Sequence, residues 1–376
     1  MKNALCSMTG AEFPLFAFSH CRDVVVAVSR AGGFGVLGAS SFLPEQLEIE
    51  LKWIDDHVGG MPYGIDILIP ENLPADVATA ANAEKIAAQI SDRHREFVAN
   101  LLQRYGVELK PSEAVSRKPP GILPEVSEAL LNVAFRHPIR LIANALGIAP
   151  PSMIEQGHKR GVPVAALVGA KEHAIRQVEA GVDLLVVQGG EAGGHCGQVS
   201  TLVLVPEVIQ AVKPLRNVPV LAAGGIVTGR QMAACMAMGA QGVWTGSVWL
   251  ATNESETSEA FREKMIAATS RDTVRSKSRT GKPSRQLHSA WHDAWDGPDS
   301  PGALPMPQMG MLSQVAFEKI DKSVAAGNKK AMALVSYWVG QGVGLIDSVK
   351  SAGAVVREFK EDFAAGVMDL QSAVEE

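Results

Sequence analysis

The thirty residues 218–247, VPVLAAGGIVTGRQMAACMAMGAQGVWTGS, hold a strand, a turn, a helix and a second strand. "VPVLAAGG" (218–225) is an unbroken apolar run, the pattern of a strand covered on both faces. A helix is predicted over 228–239, with Thr228 as its cap and Gly239 at its end. "QGVWTGS" (241–247) is the next strand. Strands without a polar face, joined by a helix, predict parallel pairing in an α/β sheet.

The same unit repeats upstream. "VPVAALVG" (162–169) and "VDLLVVQG" (182–189) read as strands, with helices over 171–181 and over 206–215, the latter opening on Pro206. Earlier strands are predicted at 13–18, 33–38, 61–69 and 138–145, and helices near 22–30, 44–56 and 124–136. Eight strands are the number that closes a TIM (β/α)8 barrel. We therefore expect a barrel over 1–252, interrupted at about 70–124 by an insertion with its own helical pattern (83–106). A C-terminal extension over 253–376 carries a basic strip, a Pro/Trp-rich segment and helices.

Bulk properties narrow the function. Of 376 residues, 47% are apolar and 20% charged, a globular composition with ample material for a core. A net charge of −5 argues against general nucleic-acid binding. Cys6, Cys21, Cys196 and Cys235 lack paired spacing, so neither disulfides nor a zinc site is expected, and a reducing cytoplasm fits. His195 adjoins Cys196, but no further ligands cluster there, so no metal is expected. Neither a signal peptide nor a membrane span is recognisable. The expected partner is a small-molecule substrate. The oligomeric state is left open, a homodimer being one option.

Barrel chemistry sits where strands end. Three glycine-rich segments fall there: "QGGEAGGHCG" (188–197), "AAGGIVTGR" (222–230) and "WTGSVW" (244–249). The last two offer bare N–H groups, the first of them just before a helix start, and suit a phosphate. "GFGVLG" (33–38) matches a dinucleotide fingerprint formally, but follows a helix pattern and reads as a strand. In the first segment His195 is one of few side chains, and imidazole exchanges protons near neutrality. Glu191 is expected to accept from backbone N–H groups and shape the loop.

"AVSRAGGFGVLGA" (27–39), "QGGEAGGH" (188–195) and "AAGGIVTGRQMAACMAMGAQGVWTGSVWLAT" (222–252) together resemble the nitronate monooxygenase family, also called the 2-nitropropane dioxygenase family, with its enoyl-reductase relatives. The resemblance covers about 10–70 and 138–252 and implies an FMN-binding barrel. It implies flavin contacts from Gln188, Gly193 and Gly194, with Phe18 and Ser19 against the ring. Gly224, Gly225, Trp244, Thr245, Gly246 and Ser247 would hold the phosphate. Asp66 stands where the family often has Asn, and a carboxylate donates no hydrogen bond unless protonated. His20 adds a polar group at the first strand's end. His195 becomes the expected catalytic residue, as base in a nitronate oxidiser or as acid in an enoyl reductase.

The strip "RDTVRSKSRTGKPSRQ" (271–286) holds six basic residues and one acid. One reading is a solvated face. The other gives Arg275 and Arg279, with Trp291 from the following segment, a substrate role toward the phosphates of NAD(P)H or a CoA thioester. The leading expectation is FMN-dependent oxidation of alkyl nitronates. The alternatives are an NAD(P)H-linked reductase or dehydrogenase of 2-enoyl-CoA-type thioesters or quinones, a non-redox phosphate-ligand barrel enzyme, and a barrel that only binds.

Overall fold

A computed structural model describes residues 3–69, 83–116 and 124–375. Eight parallel strands close a barrel: β1 (Leu15–Ser19), β2 (Phe34–Gly38), β3 (Tyr63–Leu68), β4 (Ile142–Ala145), β5 (Val164–Val168), β6 (Leu184–Gln188), β8 (Val220–Ala223) and β9 (Gly242–Thr245). Seven lie within the stretches expected from the sequence, and β1 runs one residue past its expected end, to Ser19. A two-residue strand outside the barrel, β7 (Gly194–His195), joins β10 (Thr273–Ser276) and β11 (Ser284–Leu287) in a small antiparallel sheet.

Alternation along the strands sorts the side chains. Phe16, Phe34, Val36, Leu141, Ala165, Val186, Leu221 and Trp244 fill the barrel, and Leu5 from the helix Ala4–Thr9 packs with them. Leu15, Leu37, Ile65, Val164, Leu185 and Val243 face outward into the helices. The barrel is therefore a packed solid, and only its rim is available for chemistry.

Local signals set the helix limits. Thr228 accepts from the Gln231 N–H, opening Gly229–Ala237. Gly161 and Gly181, at φ +66° and +105°, end the helices Pro151–Arg160 and Lys171–Ala180. One boundary differs. The helix placed at 206–215 runs from Thr201 to Val212 with Pro206 inside it. The carbonyl that Pro206 cannot satisfy belongs to Leu202, a 69% exposed residue at the first turn.

The insertion carries the helices Ala83–Ala88 and Asp92–Arg104 within the expected 83–106. Its flanks, 70–82 and 117–123, lie outside the described residues. The last helix, Ala352–Glu375, packs between the helices Gly229–Ala237 and Arg22–Arg30 and closes the ring around the barrel. Residues 253–351 thus form an excursion between the eighth strand and this last helix. The contact is close: a Cβ on Gly229 would lie 2.2 Å from the Phe359 carbonyl oxygen. Arg230 adds ion pairs to Asp362 and Asp369.

Candidate active site

The strands' inward positions at the C-terminal rim are Phe18, Gly38, Asp66, Leu167 and Gln188, followed by the turns at Gly224–Gly225 and Gly246. Phe18 lies edge-on to His20 at 5.1 Å and stacks on Trp244 at 6.2 Å. His20 Nδ1 donates to the Gly38 carbonyl at 3.0 Å, and burial pulls its pKa down. The Ser19 hydroxyl accepts from the Cys21 N–H and so serves the turn. Asp66 is buried, has no side-chain partner among the described residues, and is pushed by that burial up to about 7. The neutral, hydrogen-donating acid is therefore accessible near neutrality, which answers the objection to a carboxyl at this position.

The loop after β6 is built differently from expectation. Its glycines admit neighbouring backbone. A Cβ on Gly189 would lie 2.3 Å from the Thr201 nitrogen, and one on Gly193 would lie 2.8 Å from the Gly340 nitrogen. The side of Gly193 that a Cβ would occupy thus faces the excursion. Gly194 alone in this group has nothing nearby, and its φ of +77° starts β7. Glu191 behaves as expected: its carboxylate accepts from the Thr201 N–H at 2.9 Å and from its hydroxyl at 3.0 Å. His195 pairs with Ser284 of β11, and its Nε2 lies 2.8 Å from the Thr280 hydroxyl. Burial, with help from the Lys282 ammonium, lowers its pKa to about 4.

At the phosphate end, Gly224 and Gly225 adopt φ +108° and +72°, and nothing stands within 4 Å of a Cβ on Gly246. The N–H groups of Gly225, Gly246 and Ser247 have no backbone acceptor among the described residues. Two expected contributors are otherwise engaged. The Trp244 ring is inside the barrel against Phe16. The Thr245 hydroxyl donates to the Phe16 carbonyl and accepts from Trp249 Nε1. Only their backbone can face the rim.

The basic strip divides. Arg275 and Arg285 are cross-strand partners, and their side chains donate to the carbonyls of Cys196 (3.2 Å) and Gly190 (2.8 Å). Arg285 opposes Gly194, whereas His195 opposes Ser284, so both arginines lie on the sheet face away from His195. There they border a cleft of about 280 Å³. The Arg279 guanidinium is turned into the protein, 4.0, 4.4 and 5.4 Å from the rings of Phe317, Trp338 and Tyr337, donates to the Ser336 carbonyl, and has its pKa lowered to about 10 by desolvation. Trp291 is no lid over the mouth. It is fully buried against Trp295 and Phe317.

Sequence reading missed "WVGQGVG" (338–344). The Gly340 N–H donates to the Ser247 hydroxyl, the Gln341 N–H to the Glu191 carbonyl, both at 2.8 Å. A Cβ on Gly342 would lie 2.6 Å from the Gly225 carbonyl oxygen. This segment ties together the loops after β6, β8 and β9, and glycine at every second position from 340 to 344 was the available signal.

A flat ring with amide-like edges and a phosphate tail fits the rim. Gln188 and Asp66 are polar side chains without partners among the described residues, Phe18 presents an aromatic face, and unpaired N–H groups stand at the glycine turns. No group of three or more His, Cys, Asp or Glu side chains is placed to hold a metal among the described residues. Nor is any helix among them long and apolar enough to cross a membrane.

Comparison with known proteins agrees with this geometry. Residues 15–362 match the family described as Nitronate monooxygenase. The Mycobacterium tuberculosis protein named "Putative monooxygenase Rv1533" is 50% identical over the whole of both chains. A Staphylococcus aureus protein named "Probable nitronate monooxygenase" is 26% identical over 77% of this chain and 79% of its own. Two solved structures share the fold. Nitroalkane oxidase from Streptomyces ansochromogenes has a TM-score of 0.79 at 24% identity, covering 98% of this chain and 100% of its own. FabK from Thermotoga maritima has a TM-score of 0.70 at 23% identity, covering 99% of each chain. A match across nearly the whole chain and a half-identical relative of equal length leave one assignment: this chain belongs to the nitronate monooxygenase family and is an oxidoreductase of the flavin type.

Proposed function

We propose that the protein oxidises small alkyl nitronates with FMN as its flavin and His195 as general base. The observation that carries the reading is the placement of His195 in the loop after β6, paired with β11 and with its Nε2 2.8 Å from the Thr280 hydroxyl. Burial and the Lys282 ammonium lower its pKa and so favour the neutral ring. A neutral imidazole can take a proton at once, whereas the acid role in a 2-enoyl thioester reductase requires it to be charged first. The proton donor is the neutral nitroalkane: its carbon beside the nitro group gives up the proton to His195, the nitro oxygens take up the charge left behind, and the nitronate so formed is the species that is oxidised.

Gln188 and Asp66 would meet the polar edge of the ring and Phe18 its face. The N–H groups of Gly225, Gly246 and Ser247, with the Ser247 hydroxyl, would hold the phosphate. When bound, the flavin supplies the electron acceptor. The chain's own part is to orient the substrate carbon over the ring, move its proton and keep water out.

The burial of Trp291 removes one of the residues that pointed to a CoA thioester, and the Arg279 guanidinium is already taken up by aromatic rings. Anaerobic mixing separates the readings. A nitronate should bleach the flavin, and NADH or NADPH should do so only if the protein is instead an NAD(P)H-linked reductase. His195→Asn should retain visible flavin absorption and lose about 10²-fold or more in turnover of a neutral nitroalkane. Full turnover in that variant would refute the base role.

A further inference from the structure

The Thr280 hydroxyl reaches His195 Nε2 across 85 residues of chain, at 2.8 Å. Its other neighbours settle how its single hydrogen is used. Thr280 Oγ1 accepts from the Lys282 N–H at 3.3 Å and faces the Lys282 carbonyl at 3.2 Å. A carbonyl can only accept, so it takes the hydroxyl hydrogen. The remaining lone pair on Oγ1 then accepts from the imidazole. That places the ring hydrogen on Nε2 and leaves the Nδ1 lone pair unengaged, since no described residue bonds Nδ1. We propose that Thr280 is a positioning residue that holds His195 in the Nε2–H tautomer, so that Nδ1 is the atom that receives the proton. The second half of this statement rests on His195 being the base.

The rest of the excursion makes Thr280 a fixed point. The Ser278 carbonyl accepts from Trp291 Nε1 at 3.1 Å, and the Arg279 carbonyl accepts from the Ser313 hydroxyl at 2.5 Å. Gly281, at φ +86°, sits where a Cβ would lie 2.5 Å from the Leu304 carbonyl oxygen. The Arg279 guanidinium anchors the same turn among aromatic rings. Trp291 and Arg279 therefore act one step behind the base, through the turn that carries Thr280. Protonation of Nδ1 leaves this arrangement intact, because Nε2 already donates. The charged groups around the loop are the Lys282 ammonium, Arg275 and Arg285 on their strands and the Glu191 carboxylate.

Nitrogen NMR of the flavin-loaded protein with ¹⁵N-histidine reads the tautomer without turnover, the His195 signals being those lost in His195→Asn. The parent and Thr280→Ser should show Nε2–H alone, and Thr280→Val a mixture. Turnover of a neutral nitroalkane in Thr280→Val should fall about ten- to a hundredfold with KM unchanged, the range found when partners that orient metal-bound imidazoles are removed. Thr280→Ser should restore it. An Nδ1–H ring in the parent, or an unchanged tautomer in Thr280→Val, overturns the assignment. The parent spectrum suffices for this even if the valine variant does not fold. Full turnover in His195→Asn would overturn the base role separately, whatever tautomer is found.

Discussion

Asp66→Asn should make folding stability less dependent on pH, by an amount that follows from the burial of Asp66. Its carboxyl is lifted from an ordinary value of 3.8 to about 7. The folded chain therefore holds a proton that the unfolded chain has released, and stability must fall as pH rises between those two values. Each unit costs about 1.4 kcal/mol, about 4 kcal/mol in total by neutrality, with no further loss above it. Asparagine keeps the shape and cannot ionise. The stability difference between variant and parent should therefore widen by about 3 kcal/mol from about pH 5 to about pH 8. At roughly 2.1 cal/mol/K of unfolding entropy per residue, that is roughly 4 °C in Tm for a chain of this length. Thermal unfolding of both proteins, stripped of flavin, across this range is the assay. An offset in Tm that is the same at both ends would show that Asp66 is ionised in the folded state at low pH, and the account of its burial would fail.

Lys282→Met removes the charge that helps keep His195 neutral, so the His195 pKa should rise from about 4 toward its ordinary value. Activity that needs the neutral ring is lost as pH falls through that pKa, so the acid limb of kcat/KM should move to higher pH. An unmoved limb would exclude this ammonium as a cause. Trp291→Ala should destabilise by about 3–5 kcal/mol, as expected for a buried tryptophan. It should leave the KM ratio between a CoA thioester and a small nitronate unchanged in whatever protein remains folded. A selective rise for the thioester would return Trp291 to the substrate site.

The sequence by itself determined the barrel. Unbroken apolar runs, regular helical intervals and glycine or threonine at the helix ends each report a local preference, and eight such units have one common closed solution. The rim was legible for the same reason: strand alternation puts Phe18, Asp66 and Gln188 on the inner face, and the glycine turns follow the strands.

What the tertiary structure alone decided lies in the excursion. A strip of six basic residues looks uniform in sequence, yet the Arg279 guanidinium packs among aromatic rings from residues 317–338 while Arg275 faces a cleft. The final helix carries no mark that it belongs to a barrel begun some 330 residues earlier and packs beside Arg22–Arg30. The partner of His195 lies on a hairpin 85 residues away. Periodicity reveals which face of a segment avoids water. Which surface covers that face, and which hydroxyl meets an imidazole there, is fixed only when distant segments pair.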